Sequence, residues 1–482
     1  MASVLKASAW SFAANWGQQL ISTGTFLFLA YQLQASDFGI VALAAAVVDL
    51  FTVIARFGQV EALLQHADTS EEHIASSFWL LIAIGFGLTL AIVILGVASP
   101  YLYDDMRVET ILFLLAPIPI IQNVAIIHEY HLRRRLEYRG IAVRNISATF
   151  LSGLASITLA YWGFGYYALV AQKLIFTAIN SLALILYLRW KPGFVLPNTR
   201  YVRNLARAGF NVSSSNMIGM ANGRIIDLFV GHFLGVVALG NLRIAWRLFD
   251  LLLQFVVQPI TTVAVSSFTR LRNYKEIKGS VLDYISVLSL ICFPLFVGAS
   301  VFSTQIMVVM LGQKWGDSGW ILGYLCLSAF ALPINNIFAP SIIATKNTDI
   351  LRNQSVMQLV FTSVTVAIST QFNLPTVILI HVTRVYLFSL VYLYILKRDM
   401  DVGFQDVLRK SIGPLVATAA MFAALYAMQN IGNRNNLIVL IVEIGAAALT
   451  YLLVVGLGEY LGFWSGNAAA TIRLIQRKIG KI

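Results

Sequence analysis

The chain has 482 residues, 58% of them hydrophobic and only 12% charged, with a mean hydropathy of +0.77. Soluble globular chains carry about 25% charged residues, so this balance excludes a soluble protein and marks an integral membrane protein. The two cysteines, Cys292 and Cys326, fall in apolar segments, and the six scattered histidines form no Cys/His cluster with metal spacing. Neither a disulfide scaffold nor a metal site is expected.

Apolar runs recur from end to end, each long enough to cross about 30 Å of hydrocarbon as a helix of roughly 20 residues. They predict an all-α, polytopic membrane protein with about fourteen transmembrane helices, at 8–33, 38–62, 77–99, 109–130, 141–162, 166–188, 208–231, 238–264, 281–310, 318–342, 353–372, 375–396, 411–429 and 437–458. The first carries Asn15, Gln18 and Gln19 and is followed by no small-residue cleavage site, so it reads as a polar first helix and not as a signal peptide. Prolines mark several of the others: Pro117 and Pro119 in the fourth, Pro259 in the eighth, Pro294 in the ninth and Pro333 in the tenth.

The basic residues fix an orientation. With the N-terminus in the cytoplasm, 25 of the 34 lysines and arginines fall on the cytoplasmic side, in clusters such as Arg133, Arg134 and Arg135. Three, Arg107, Lys314 and Arg434, fall outside, and six lie within the membrane. This asymmetry is a strong positive-inside signal, and it places both termini in the cytoplasm. It also accounts for most of the formal net charge of +12, so no nucleic-acid partner is expected.

An internal repeat follows. Shifted by 201 residues, the N-terminal region lies on the middle of the chain without a gap. Lys6-Ala7 meets Arg207-Ala208, Asn15 meets Asn216, Leu27-Phe28 meets Leu228-Phe229, Gly39 meets Gly240 and Asp49-Leu50 meets Asp250-Leu251. Six helices separate the copies, so they share one orientation, and a pseudo-symmetry axis along the membrane normal is expected. The domain reading is a lobe over 1–200, a second over 201–400, and an appendage over 401–482 with two helices and a basic cytoplasmic tail.

The intramembrane charges are the candidate site. The basic ones are Arg56, Lys173, Arg224, Arg243, Arg247 and Arg384; Asp49, Asp227 and Asp250 lie among them. Arg243, Arg247 and Asp250 share one helix face by spacing, as do Asp49 and Arg56. Placing such charges in lipid costs at least about 2.5–3.5 kcal/mol each, so they should face one another or a wet cavity. Local spacing pairs Asp49 with Arg56, Asp227 with Arg224 and Asp250 with Arg247, leaving Arg243 and Arg56 as the candidates for unpaired or shared cations. Arginine binds phosphate as a bidentate fork, so Arg56, Arg224, Arg243 and Arg247 are read as the wall of a phosphate-binding chamber. Asp49, Asp227 and Asp250 are read as acidic residues of that cavity with a coupling role. No cofactor is expected, and H+ or Na+ coupling stays open.

The segments LQASDFGIVALAAAVVDLF, TSEEHIASSFWLLI, FGYYALVAQKL and VGHFLGVVALGNLRIAWRLFD resemble the polysaccharide-transporter family, the Wzx-type flippases of the multidrug/oligosaccharidyl-lipid/polysaccharide exporter superfamily. The likeness covers nearly the whole chain. It implies two six-helix lobes in a V around a central cavity, plus two further helices. It also implies transfer of undecaprenyl-diphosphate-linked oligosaccharide repeat units from the cytoplasmic to the periplasmic leaflet of the inner membrane, for exopolysaccharide or O-antigen synthesis. The partners so implied are the lipid-linked oligosaccharide and membrane lipids, with a polysaccharide polymerase and a chain-length regulator as candidates, and the protein is expected to be a monomer. Asn241 stands where family members usually carry tyrosine.

Two alternatives stay open at this point. A cation-coupled multidrug exporter shares the fold, but it calls for twelve helices and an acidic site, whereas this interior is net basic. A lipid-linked glycosyltransferase or polymerase requires an extracytoplasmic cavity with catalytic groups. Asp104-Asp105 in an outer loop is the only acidic pair for that role, and no nucleotide, nucleophile or zinc motif is present. The protein is therefore read as a transporter and not an enzyme. HLRRRLEYR is chiefly positive-inside charge, and the tail RLIQRKIGKI is a basic surface segment or a topology signal. Tyr161, Trp162, Tyr166 and Tyr167 belong to the interfacial aromatic belt in preference to a sugar-stacking platform.

Overall fold

The structure is a computed structural model. It describes residues 2–56, 63, 70–103, 105–135, 137–188, 190–195, 199–271, 273–345, 347, 349–428 and 437–461; side chains at 2–14, 54–56, 138–139, 199–213, 215–216, 274 and 437–438 are outside the description. Among the described residues the elements are all helical. They are α1 (Ala2–Gln32), α2 (Ala35–Arg56), α3 (Glu71–Leu102), α4 (Arg107–Leu115), α5 (Ile118–Arg134), α6 (Tyr138–Tyr161), α7 (Tyr167–Leu188), α8 (Thr199–Phe233) and α9 (Gly235–Leu252). After these come α10 (Gln258–Phe268), α11 (Tyr274–Val301), α12 (Ser303–Leu311), α13 (Gly316–Cys326), α14 (Leu332–Ala344), α15 (Asp349–Ser369), α16 (Leu374–Met400), α17 (Phe404–Met428) and α18 (Leu437–Tyr460).

Each of the fourteen predicted segments overlaps a described helix or an interrupted pair, with 57–62 of the second outside the described residues, but the count of fourteen membrane spans is not reached among them. Ten described spans are long and apolar enough to cross a membrane, or eleven if 313–330 and 332–344, bent by 56°, form one. α15 is not among the ten; it carries more Asn, Gln and Ser than they do, which lowers its hydropathy, while α1 and α8 are described only in part. The breaks follow local chemistry. Pro117 interrupts the fourth segment between α4 and α5, because proline lacks the N–H that would continue the ladder and its ring clashes one turn back. Ahead of Pro259, five residues, Leu253–Val257, adopt a π-helix, which absorbs the missing hydrogen bond without ending the span. α11 passes through Pro294 without a break. α3 starts at Ser70, whose hydroxyl accepts from the His73 N–H at 3.3 Å, with Glu71 and Glu72 in the first turn.

By contacts the chain forms two compact units, 1–243 with 352–372, and 244–351 with 373–482. The contact boundary thus runs through α9. In the first unit α1 packs on α6, α6 on α7, α3 on α5 and α2 on α8. Leu63, Ile74, Phe78, Leu81, Ile126, Ile127 and Tyr130 form one of its buried clusters, closed by Trp79 and Trp190. In the second unit α11 packs on α17 and α17 on α18. Ser289 and Ser411 hydrogen-bond there at 2.9 Å, and the Tyr451 hydroxyl donates to the Leu290 carbonyl at 2.8 Å.

The repeat has a physical counterpart within the first unit. A Cβ at Gly39 would overlap the carbonyl oxygen of Val236, and a Cβ at Gly240 would overlap that of Ala35. Shifted by 201, Ala35 becomes Val236 and Gly39 becomes Gly240. The two contacts are therefore one contact seen twice, as at an isologous two-fold interface, and only glycine lets the two helix backbones approach so closely.

Candidate functional site

Five charged side chains from four helices of the first unit meet in one network. α2 supplies Asp49, α7 supplies Lys173, α8 supplies Arg224 and Asp227, and α9 supplies Arg243. Lys173 Nζ donates to Asp49 Oδ1 at 2.6 Å, and Arg224 Nη2 lies 2.9 Å from Asp49 Oδ2. Arg224 Nη1 reaches Asp227 Oδ2 at 3.5 Å, and Arg243 Nη2 pairs with the same oxygen. Three cations against two carboxylates leave a net charge of +1. Asp227 is fully buried, while Lys173, Arg224 and Arg243 keep 27%, 34% and 26% of their side chains exposed. Part of each cation therefore reaches the surface while Asp227 beneath them does not, although Arg243 Nε and Nη2 are themselves buried. Asp227 Oδ1 is buried with no hydrogen-bond donor, an open acceptor at the floor of the network.

The structure revises the pairing read from spacing. Asp227 does pair with Arg224, but Arg243 is paired with Asp227 and is not unpaired. Asp49 is neutralised by Lys173 and Arg224; the side chain of Arg56 lies outside the described residues. Arg247, in the second unit, feels the field of Asp250. The two aspartates matched by the repeat stand in unlike surroundings, Asp49 one-fifth exposed between two cations and Asp250 exposed. Lys173 is the member that spacing did not assign. Its signal is a lone lysine in the apolar run FGYYALVAQKL, whose partner lies 124 residues away.

Arg384 is a second buried cation. It is 6% exposed on α16, and its Nη2 donates to His381 Nδ1 at 2.8 Å, with no described carboxylate in ion-pair range. Trp246 stands edge-on to the same histidine, their rings 5.5 Å apart. Accepting at Nδ1 makes His381 the neutral tautomer protonated at Nε2.

A bundle of membrane-length helices holding partly compensated cations is that of a polytopic membrane protein. The chain belongs to the polysaccharide biosynthesis protein family, whose model matches residues 28–319. It is 25% identical over 336 residues to the succinoglycan biosynthesis transport protein ExoT of Rhizobium meliloti (strain 1021), covering 69% of this chain and 67% of that one. It is 24% identical over 407 residues to the teichuronic acid biosynthesis protein TuaB of Bacillus subtilis (strain 168), covering 81% and 82%. Among solved structures the fold is similar to the inward closed conformation of the lipid II flippase MurJ, with a TM-score of 0.70 and 17% identity over 94% of this chain and 99% of that one.

Proposed function

We propose that the chain translocates undecaprenyl-diphosphate-linked oligosaccharide repeat units from the cytoplasmic to the opposite leaflet of the plasma membrane, by alternating access of a cationic cavity. The observation that carries this reading is the network of Lys173, Arg224 and Arg243 over Asp49 and Asp227. Its net positive charge and partly exposed cations suit an anionic headgroup, and Arg224 supplies the forked guanidinium that phosphate oxygens take best. In the sequence Arg247 and Arg56 add two further cations to the α9 and α2 segments. The same charge disfavours cationic drugs as cargo.

In this reading a diphosphate displaces carboxylates from the cations, so Asp49 and Asp227 lose counter-ions as the headgroup binds. Uptake of H+ or Na+ offsets that loss, and the open Oδ1 of Asp227 is the atom placed to receive it. Ligand binding then shifts the conformational equilibrium only as far as its affinity differs between states. The cytoplasmic placement of both termini rests on the basic-residue asymmetry.

The test is export. Alanine at Lys173, Arg224 or Arg243 should block polymer export while protein levels in the membrane stay normal. Lysine at 224 or 243 should restore it only in part, because a point charge does not reproduce the fork. Full export by an Arg224→Ala/Arg243→Ala variant refutes the phosphate reading.

A further inference from the structure

We infer that a cavity between α5, α6 and α7 is a saccharide subsite that holds a glycosyl residue of the transported chain, one to two helical turns from the charge network. The inference rests on the function proposed above and adds where the sugar is read.

The cavity has a volume of about 280 Å³ and is walled by Glu129, Arg133, Arg144, Asn145, Thr177 and Ser181, with Phe176 and Asn180 beside them. That is close to the lower end of small-molecule sites, about 300–1,000 Å³, and fits a ligand of one ring more readily than a long chain. Its polar groups are partly committed and partly open. Glu129 takes Arg133 at 2.5 Å and Arg144 at 3.8 Å. Arg144 donates to Asn145 Oδ1 from Nε and Nη2 at 3.1 and 3.0 Å, which leaves the Asn145 amide nitrogen as a donor. Asn180 donates its amide nitrogen to the Phe176 carbonyl at 3.2 Å, which leaves its oxygen as an acceptor.

Thr177 and Ser181 are the telling members. They are 5% and 6% exposed, line the cavity, and no hydrogen bond ties either hydroxyl to a described residue. A hydroxyl buried in a membrane helix ordinarily bonds to the carbonyl one turn back, as Thr149 does to Asn145 in α6. Here both are held open toward a cavity.

The chemistry of the wall selects the ligand class. Phosphate offers only acceptors, and it would face the Glu129 carboxylate and the open oxygen of Asn180. A pyranose ring presents hydroxyls that donate and accept, and matches open donors, open acceptors and hydroxyls in one wall. The placement agrees with this. Lys173, Thr177, Asn180 and Ser181 lie at i, i+4, i+7 and i+8 on α7 and so share a face. At 1.5 Å rise per residue, Thr177 and Ser181 stand about 6 and 12 Å along the axis from the lysine of the charge network. A sugar joined directly to a diphosphate held at Lys173 lies within that interval.

The test uses full-length protein in lipid nanodiscs. The probes are farnesyl diphosphate, the same lipid carrying one hexose, N-acetylhexosamine or hexuronic acid, and the matching methyl glycosides. At least one glycosyl group should raise affinity over farnesyl diphosphate alone by about tenfold. Thr177→Val with Ser181→Ala should abolish that gain, and Thr177→Ser should keep it, with correct folding checked by gel filtration and circular dichroism. Farnesyl diphosphate binding with no gain from any sugar overturns the subsite and leaves the diphosphate reading standing. Methyl glycosides that bind equally well with or without the lipid diphosphate make the cavity a free-sugar site, and also overturn it. Glycoside binding that the Thr177/Ser181 variant loses, in a protein that ignores farnesyl diphosphate, supports the subsite and refutes the diphosphate reading.

Discussion

At Gly39 and Gly240 geometry sets the sign of a mutational effect as well as its size. A Cβ at Gly39 would overlap Val236 O and lie 2.9 Å from Gly240 N; a Cβ at Gly240 would overlap Ala35 O and lie 3.1 Å from the Ala35 Cα. Both obstacles are helix backbone and neither can turn aside. α2 and α9 must part by about 2 Å to recover ordinary contact near 3.5–4 Å. Overpacking of this kind costs roughly 1–3 kcal/mol, against a helix-propensity gain for Gly→Ala of about 0.5–1 kcal/mol. Gly39→Ala is therefore expected to lose stability by about 0.5–2 kcal/mol. Gly24 on α1 is the control, because nothing lies within 4 Å of a Cβ there, and Gly24→Ala keeps the propensity gain. The Gly39→Ala/Gly240→Ala pair should cost less than the sum of its parts, since helices already parted by one methyl accommodate the second. Thermal midpoints from tryptophan fluorescence in one detergent rank the variants. If Gly39→Ala melts at or above Gly24→Ala, the close backbone crossing is not a feature of the folded protein.

Asp227→Ala leaves Arg224 and Arg243 without their shared carboxylate and should destabilise by about 3 kcal/mol, at the low end for a buried pair because both arginines are partly exposed; an unchanged denaturation midpoint refutes the pairing. Asp227→Asn mimics the protonated acid and should weaken the response of transport to an imposed pH gradient in vesicles, whereas Asp250→Asn, at an exposed position, should leave it intact; equal responses remove the coupling role of Asp227. Lys397 and Lys278 donate to the Asp401 carboxylate at the end of α16 and hold its pKa down to about 2 from an ordinary 3.8. A depressed carboxylate stabilises above its unfolded pKa and loses that contribution as pH falls through its folded value, so this clasp should open only between roughly pH 4 and 2. Lys278→Met should thus leave the pH profile of transport between pH 5 and 8 unchanged, and a shifted profile argues against the assignment. Reporter fusions after Ile482 and within 431–436 should report opposite sides of the membrane; the same side for both removes the reading of the last two helices.

Some features follow from neighbours along the chain alone. Apolar runs of membrane length had to become helices, because only a helix satisfies its own backbone in lipid. Pro117 interrupts one of them, although Pro294 does not break α11, and the 201-residue repeat aligns Gly39 with Gly240. Tertiary structure decided the partners of the charges. Spacing offers an aspartate only the cations on its own helix, and so it paired Asp49 with Arg56. Packing brings Lys173 from α7 and Arg224 from α8 to Asp49, at 2.6 Å and 2.9 Å, and Arg243 from α9 to Asp227. It also gave the repeat-related Asp49 and Asp250 different surroundings, because burial belongs to a position in the packed bundle and not to a place in a sequence repeat. Thr177 and Ser181 read in the sequence as ordinary polar residues of a membrane helix. Only the fold shows that their hydroxyls border a cavity, since which face of α7 meets α5 and α6 is settled by those helices together.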